Sequence, residues 1–167
     1  MRVTTGGGSL VATTLKQIDD FLALKRIAVV GVSRNPRETS NTLWQELRQR
    51  RYDAVPVNPS TTEIDGRPCY ASVCDIDPPV EGALIMTTSA VAERVLEECA
   101  AAGIRQVWLY GGLGGGATSD ATIAAASRHG LDAVAGHCPF MFLPDTAAFH
   151  RIHGVGKKIT RSYPKAS

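Results

Sequence analysis

Short apolar runs recur along the chain, separated by longer segments whose apolar residues have helical spacing. Polar and apolar side chains do not alternate within the runs, so we expect both faces of each corresponding strand to be buried. We predict strands at residues 27–32, 54–57, 83–86 and 106–110, and a weaker one at 132–135. Strands that are apolar on both faces are typical of a parallel sheet covered by helices on both sides.

The segments between these runs predict helices. Helices are expected at residues 14–24, 42–50, 91–102 and 119–129. Thr14 and Gln17 have the spacing of a capping box, and Gly103 and Gly130 stand where a glycine ends a helix. Because parallel neighbours need crossover connections, the alternation predicts an α/β fold: a Rossmann-like, doubly wound, five-stranded parallel sheet with helices on both faces.

A single domain at residues 14–143 is predicted between two segments of different character. Residues 1–13 contain the run Gly6-Gly7-Gly8 and are interpreted as a flexible N-terminus. Residues 144–167 form a basic C-terminal extension, in which a short helix at 145–152 and a packed or loose tail both remain open. A chain of 167 residues is long enough for one domain with its own core.

Charge and hydropathy narrow the possible partners. Eighteen basic and 16 acidic residues leave a net charge of +2, which gives no global attraction to nucleic acids or membranes. The sequence shows neither an apolar run long enough to cross a bilayer nor the apolar centre of a signal peptide, so a cytoplasmic location is expected. The four cysteines lack zinc-site spacing and are interpreted as reduced, mostly buried thiols.

The turn after the first predicted strand is the first place to look for a ligand, because open parallel sheets bind at the carboxyl ends of their strands. It combines a glycine, a serine and two arginines with the start of a helix, a set that suits a phosphate group. The candidate residues are Gly31, Val32, Ser33, Arg34, Asn35, Pro36, Arg37 and Ser40. The alternative interpretation is a solvated loop whose arginines face water.

Two features of the sequence, one in this turn and one after the second strand, disfavour a dinucleotide. Only the first glycine of the pattern Gly-x-Gly-x-x-Gly is present, at Gly31. The second strand ends in Val57-Asn58-Pro59, where a dinucleotide site places an acid for the ribose hydroxyls. A nucleotide bound through its phosphates fits this turn better than NAD or FAD.

Several segments together carry a resemblance to a known family. They are residues 27–36, 55–59, 66–73, 107–109 with the glycine loop that follows, and 136–139. In this order they resemble the small stand-alone CoA-binding proteins, related to the CoA-binding domain of the succinyl-CoA synthetase α subunit. The resemblance implies a Rossmann-like domain that binds coenzyme A or an acyl-CoA.

The resemblance also implies roles for individual residues. It places Gly31, Ser33, Arg34, Asn35 and Ser40 around the pyrophosphate, and Asn58 and Pro59 near the adenosine. It places Thr87, Thr88, Tyr110, Gly111 and Gly112 along the pantetheine. The lysine that follows the second strand in the synthetases is replaced by Ser60-Thr61-Thr62, and the loop at 111–116 is richer in glycine than in close relatives.

No catalytic residue and no metal site is predicted. His137 and Cys138 are adjacent, and neighbours on a strand point to opposite faces, which disfavours proton transfer between them. Cys138 is expected to pack or to line the cofactor site. His150 and His153 have helical spacing without a carboxylate or cysteine to complete a metal site.

The sequence therefore predicts a binder of a small nucleotide ligand, coenzyme A or an acyl-CoA, with no catalysis of its own. Two alternatives remain. An NAD(P)-linked oxidoreductase would use the same crevice, with Arg34 or Arg37 meeting the additional phosphate of NADP. A protein-interaction module would instead use the glycine loop at 111–116 and the basic tail. Protein partners and oligomeric state are left open.

Overall fold

The computed structural model describes residues 13–112 and 116–143. The four helices within these ranges are α1 (Leu15–Leu22), α2 (Thr39–Gln49), α3 (Ser89–Ala101) and α4 (Asp120–Arg128). The strands are β1 (Arg26–Val30), β2 (Asp53–Val57), β3 (Glu63–Ile64), β4 (Arg67–Pro68), β5 (Gly82–Ile85), β6 (Gln106–Leu109) and β7 (Asp132–Ala135). Two 3-10 turns span Val73–Asp75 and Pro139–Met141.

Five of the strands form one parallel sheet in the order β2-β1-β5-β6-β7. The chain runs outward from β1 to β2, then crosses back to place β5 on the other side of β1. The strand order therefore reverses between β1 and β5. This topology confirms the predicted Rossmann-like, doubly wound α/β fold with five parallel strands.

The sheet divides the core into two layers, one on each face. Leu96 of α3 and Ala126 of α4 belong to one layer. Ile18 of α1, Leu47 of α2 and the fully buried Trp108 of β6 belong to the other. Helices thus cover both faces of the sheet, which explains why the strand sequences are apolar without alternation.

All the predicted elements are present, with ends that differ by up to three residues. The first strand was predicted to residue 32, but β1 ends at Val30, so Gly31 and Val32 belong to the loop. The sequence placed the start of the second helix at residue 42, but α2 begins at Thr39. Ser40, expected just before the helix, therefore lies in its first turn. The capping box predicted for α1 is present, with Thr14 and Gln17 bonded reciprocally.

The antiparallel hairpin β3–β4 was not predicted. Its two strands have two residues each, too short for any hydrophobic period to show. The sequence nevertheless carried a signal, because Asp65-Gly66 is a dipeptide typical of tight hairpin turns. Both residues have positive φ, 48° for Asp65 and 69° for Gly66.

Several predictions concern residues outside the described ranges. They are the flexible segment up to residue 12, the centre of the glycine loop at 113–115 and the basic extension from residue 144, including His150 and His153. Thr13 is described, and its hydroxyl bonds to both the carbonyl and the amide of Ala135 at the end of β7. Among the described helices, none has the length and apolarity needed to traverse a bilayer.

Candidate functional site

The loops after β1 and β5 meet at Gly31, where the strand order reverses. Gly31 has a φ of 92°, a conformation that favours glycine. A Cβ atom at this position would lie 2.9 Å from the Met86 carbonyl oxygen and 3.0 Å from Thr87 Cγ2. Glycine is therefore required here both by the backbone conformation and by the close approach of the two loops.

The loop that follows Gly31 is shaped by hydrogen bonds from its own side chains. Ser33 Oγ accepts from the Asn35 amide at 3.1 Å, and Asn35 Oδ1 accepts from the Arg37 amide at 3.0 Å. The Ser33 amide donates to Ser40 Oγ at 3.0 Å. The sequence analysis predicted that the Ser33 amide would bind a phosphate, whereas in the structure this amide connects the loop to α2.

The helices that follow β1 and β5 begin without a side-chain cap. Glu38 precedes α2 and Thr88 precedes α3, and in the described structure neither side chain bonds to an amide of its helix. The two helices follow adjacent strands, α2 after β1 and α3 after β5. Free amides at a helix start carry partial positive charge and suit an anion.

A buried asparagine in the first turn of α2 holds this loop in place through a hydrogen bond. Asn41 has no exposed surface. Its Nδ2 donates to the Ser33 carbonyl at 2.8 Å, and its Oδ1 accepts from Gln45 Nε2 at 2.8 Å. Gln45 Nε2 also donates to Asp65 Oδ2 at 2.9 Å, so the β3–β4 hairpin is joined to the same network.

Sequence reasoning missed Asn41, although a signal was available. Asn41 stands three residues before Trp44 in the buried stripe of α2, where an apolar residue is expected. A polar residue on such a stripe needs a partner, because an unsatisfied buried amide costs about 1–3 kcal/mol. The partner is the Ser33 carbonyl, which sequence spacing alone does not reveal.

Asn58 ties the loop after β2 to the loop after β1. Its Nδ2 donates to the Val32 carbonyl at 2.8 Å, and its Oδ1 accepts from the Ser60 amide at 2.8 Å. Pro59 and Ser60 follow on the exposed surface. Val32 is fully buried and packs in the core layer of α1 and α2, so its side chain supports the loop from inside.

The arginines of the loop are placed differently from its core residues. Arg34 and Arg37 are exposed, as are Asn35 and Pro36. Neither guanidinium forms an ion pair with a carboxylate of the described residues. Two positive charges without a carboxylate partner among the described residues therefore precede the uncapped start of α2, an arrangement that both a phosphate site and a solvated loop would show.

The other predicted site residues line the neighbouring strand ends. Thr87 and Thr88 follow β5, and Ser89 Oγ donates to the Gly116 carbonyl at 2.9 Å, joining this turn to the end of the glycine loop. Tyr110, Gly111 and Gly112 follow β6. Burial and then the adjacent Cys138 thiol raise the pKa of the Tyr110 hydroxyl to about 12, so it remains a proton donor at neutral pH.

The structure corrects the expected position of His137 and Cys138. They do not lie in a strand, because β7 ends at Ala135 and both residues belong to the turn before Pro139–Met141. The His137 carbonyl accepts from Trp108 Nε1 at 2.9 Å, and the His137 ring packs edge-on against Phe142. Cys138 is half-buried beside Tyr110, consistent with the packing role expected for it.

The four thiols are free in this structure, and two of them are buried where the sequence analysis expected most to be. Cys69 and Cys99 are buried, Cys138 is intermediate and Cys74 is exposed. Burial raises the pKa of the Cys99 thiol to about 12 and also raises that of Cys69. Within residues 13–112 and 116–143, no three His, Cys, Asp or Glu side chains come together as a metal site.

A family model described as a CoA binding domain matches residues 25–144. The chain belongs to the CoA-binding domain family. This result confirms the resemblance noted in the sequence, and the match includes every described element from β1 to β7.

Curated relatives of this CoA-binding domain include much longer proteins. The acetate–CoA ligase (ADP-forming) I of Archaeoglobus fulgidus is 30% identical over 120 residues, which are 68% of this chain and 18% of the ligase. The acetate–CoA ligase (ADP-forming) of Methanocaldococcus jannaschii is 31% identical over 48% of this chain and 12% of the ligase. The chain thus spans less than a fifth of either enzyme. The uncharacterized protein YneT of Bacillus subtilis is 33% identical over 53% of this chain and 66% of YneT.

Solved structures of small proteins share the fold. A hypothetical protein from Pyrococcus horikoshii has a TM-score of 0.67 and 30% identity, with 83% of this chain and 92% of that chain covered. A conserved hypothetical protein from Pyrococcus furiosus has a TM-score of 0.62 and 29% identity, with 68% and 95% covered. The CoA-binding domain thus aligns with almost the whole of these small chains.

Proposed function

We propose that this protein binds coenzyme A or an acyl-CoA in the crevice between the ends of β1 and β5 and has no catalytic activity of its own. The observation that carries the proposal is the pair of uncapped helix starts, α2 and α3, that follow the adjacent strands β1 and β5 in a member of the CoA-binding domain family. Uncapped helix starts at the reversal of strand order favour a ligand with a compact, highly charged anion, as in a pyrophosphate.

The pyrophosphate is assigned to the first turn of α2. The amides of this turn, the Ser40 hydroxyl and the guanidinium groups of Arg34 and Arg37 supply the donors. Ser40 Oγ accepts from the Ser33 amide, and the described residues provide no acceptor for its own proton. Hydrogen bonds between charged groups are about twice as strong as neutral ones, so the arginines add both affinity and orientation.

The two ends of the ligand are assigned to neighbouring loops. The adenosine is placed at Asn58 and Pro59, where the loop after β2 is tied to Val32. The pantetheine is placed across Thr87, Thr88, Tyr110, Gly111 and Gly112. The Tyr110 hydroxyl has a pKa of about 12, so it can donate to a pantetheine carbonyl at neutral pH but is a poor general base there.

The absence of catalysis is proposed for this chain alone. The two ligases described above are more than five times longer than their aligned regions, since 12% and 18% of their lengths are covered. Only the binding of the CoA moiety is therefore carried over. A cytoplasmic location is proposed with it, because free thiols at all four cysteines fit a reducing compartment.

Isothermal titration of the full chain with CoA, acetyl-CoA, NADH and ADP tests the proposal. We expect CoA or acetyl-CoA to bind at least about tenfold more tightly than ADP, because ADP lacks the pantetheine contacts. Binding of NADH without a response to either CoA species would reject the proposal in favour of a dinucleotide enzyme.

A charge-matched pair of variants locates the site. The variant Arg34→Gln with Arg37→Gln is expected to weaken CoA binding about tenfold or more, since two charge-assisted bonds are lost. The control is Arg105→Gln with Arg128→Gln, which removes two exposed charges outside the crevice. Equal weakening in both variants would show general attraction rather than a site.

A further inference from the structure

A groove of about 550 Å³ runs along the outer edge of β2. The second half of α2 and the β3–β4 hairpin form its walls. Its lining includes Arg48, Tyr52, Ala54, Arg67 and Tyr70, and none of its lining residues belongs to the loops after β1 and β5. Its size falls within the range of small-molecule sites, about 300–1,000 Å³.

The exposed edge of β2 is closed to strand addition. The Ala54 carbonyl accepts from Trp44 Nε1 at 2.8 Å, and the Pro56 carbonyl accepts from the Tyr70 amide at 3.1 Å. Pro56 has no amide proton to donate, which is a common way to protect an edge strand. A partner strand would find almost none of the ladder bonds it needs.

One backbone donor remains on this edge. Asp53 and Val57 bond to the β1 side, so the alternation of the ladder directs the Ala54 amide to the groove. The described residues provide no acceptor for this amide. A single free donor in a groove fits an oxygen atom of a small ligand better than a peptide.

Two guanidinium groups on opposite walls are also available. Arg48 of α2 lies 4.7 Å from the centroid of the Trp44 ring, a cation–π contact that holds its orientation. Arg67 of β4 is exposed. Neither pairs with a carboxylate of the described chain, whereas Arg26, the third arginine of the lining, is bound to Asp53 and to the Pro78 carbonyl.

We propose that this groove is a second ligand site, which takes a small organic oxyanion, a carboxylate or a phosphate ester. Arg48, Arg67 and the Ala54 amide bind the oxyanion, and the body of the molecule lies against Tyr52 and Tyr70. Guanidinium groups suit this role because their planar donors match both kinds of oxyanion. The groove is separate from the crevice because no residue of the loops after β1 and β5 lines it, and Gln45 and Asp65 of its lining connect the two through the Asn41 network.

Backbone NMR titration of the full chain with phenyl phosphate, benzoate and phenol tests the site. We expect phenyl phosphate, benzoate or both to shift the Ala54 amide and its neighbours, and phenol to leave them in place. A response to phenyl phosphate alone assigns the site to phosphate esters, and a response to benzoate alone assigns it to carboxylates. Absence of a response to both anions overturns the proposal.

Matched variants separate this site from the crevice. Arg48→Gln with Arg67→Gln is expected to weaken probe binding about tenfold or more, while Arg105→Gln with Arg128→Gln leaves it unchanged. Both variants should bind CoA like the original chain, which shows that they fold. Equal probe affinity in the two variants would overturn the proposed groove site. Chemical-shift changes confined to Ser33 and Ser40 would overturn it as well. If the original chain bound the probe but did not bind CoA, the proposed function would be refuted and the groove proposal would stand.

Discussion

On each face of the sheet, one helix begins with a side-chain cap and the other begins without one. At α1 and α4, the side chains of Thr14 and Ser119 bond to the first-turn amides. At α2 and α3, which flank the reversal of strand order, Glu38 and Thr88 leave those amides free within the described structure. The first-turn amides are therefore bonded to the protein itself at α1 and α4, whereas at α2 and α3 they are available to a ligand.

This difference has a thermodynamic consequence. A missing N-cap costs about 1 kcal/mol of stability at each helix, so the crevice is a place where the fold gives up stability. An anion that binds to the free amides recovers part of that loss on binding. The contrast between capped and uncapped starts therefore marks the ligand site more specifically than the arginines, which also occur elsewhere on the surface.

The largest effect on the crevice is expected from a substitution at Gly31. We expect Gly31→Ala to abolish CoA binding and to lower the free energy of unfolding by about 2–4 kcal/mol, because strain at positive φ adds to a clash with the Met86 carbonyl. Gly66→Ala is the control, since Gly66 has a φ of 69° but no atom within 4 Å of its Cβ position. Urea unfolding and CoA titration of both variants measure the two effects. CoA binding by Gly31→Ala at the original affinity would contradict the site.

The next effect is expected at Asn41, which orients the loop that the uncapped helix faces. Asn41→Ala leaves the Ser33 carbonyl without its donor, so we expect a loss of about 1–3 kcal/mol in stability and about tenfold weaker CoA binding. Gln49→Ala, at the exposed end of the same helix, should change neither quantity. Weaker CoA binding with unchanged stability in Asn41→Ala would assign this residue to the ligand instead of the loop.

A smaller effect of opposite sign is expected when a cap is added. Glu38→Ser offers α2 the side-chain cap that it lacks, which should raise the free energy of unfolding by about 0.5–1 kcal/mol. The same cap competes with the ligand for the amides, so CoA binding should weaken about threefold by the equivalent free energy. Ser119→Ala is the reciprocal control: it should lower stability by about 1 kcal/mol and leave CoA affinity unchanged. A gain of affinity together with stability in Glu38→Ser would refute the competition.

The contrast between helix starts also shows what the sequence can and cannot predict. The strands were found because residues such as Val29 and Leu84 are buried on both faces of a sheet, which is a local pattern. The start of α2 was misplaced because Thr39, Ser40 and Asn41 are polar and precede the apolar stripe. Thr88 is a favourable cap residue by type, yet its side chain does not cap α3, so tertiary geometry decides which caps form.

The smallest effect concerns the 3′-phosphate of CoA and tests how much of phosphate recognition depends on helix amides. Ser60, Thr61 and Thr62 after β2 are neutral hydroxyl residues, so dephospho-CoA should bind within about threefold of CoA. Ser60→Lys, at an exposed position, should improve CoA binding about threefold, leave dephospho-CoA unchanged and lose its gain at high salt. Ser127→Lys on α4 controls for added charge. If dephospho-CoA bound more than about tenfold more weakly than CoA, the 3′-phosphate would have to contact a charged group of the protein. The uncapped helix starts would then contribute a smaller part of the binding free energy than proposed.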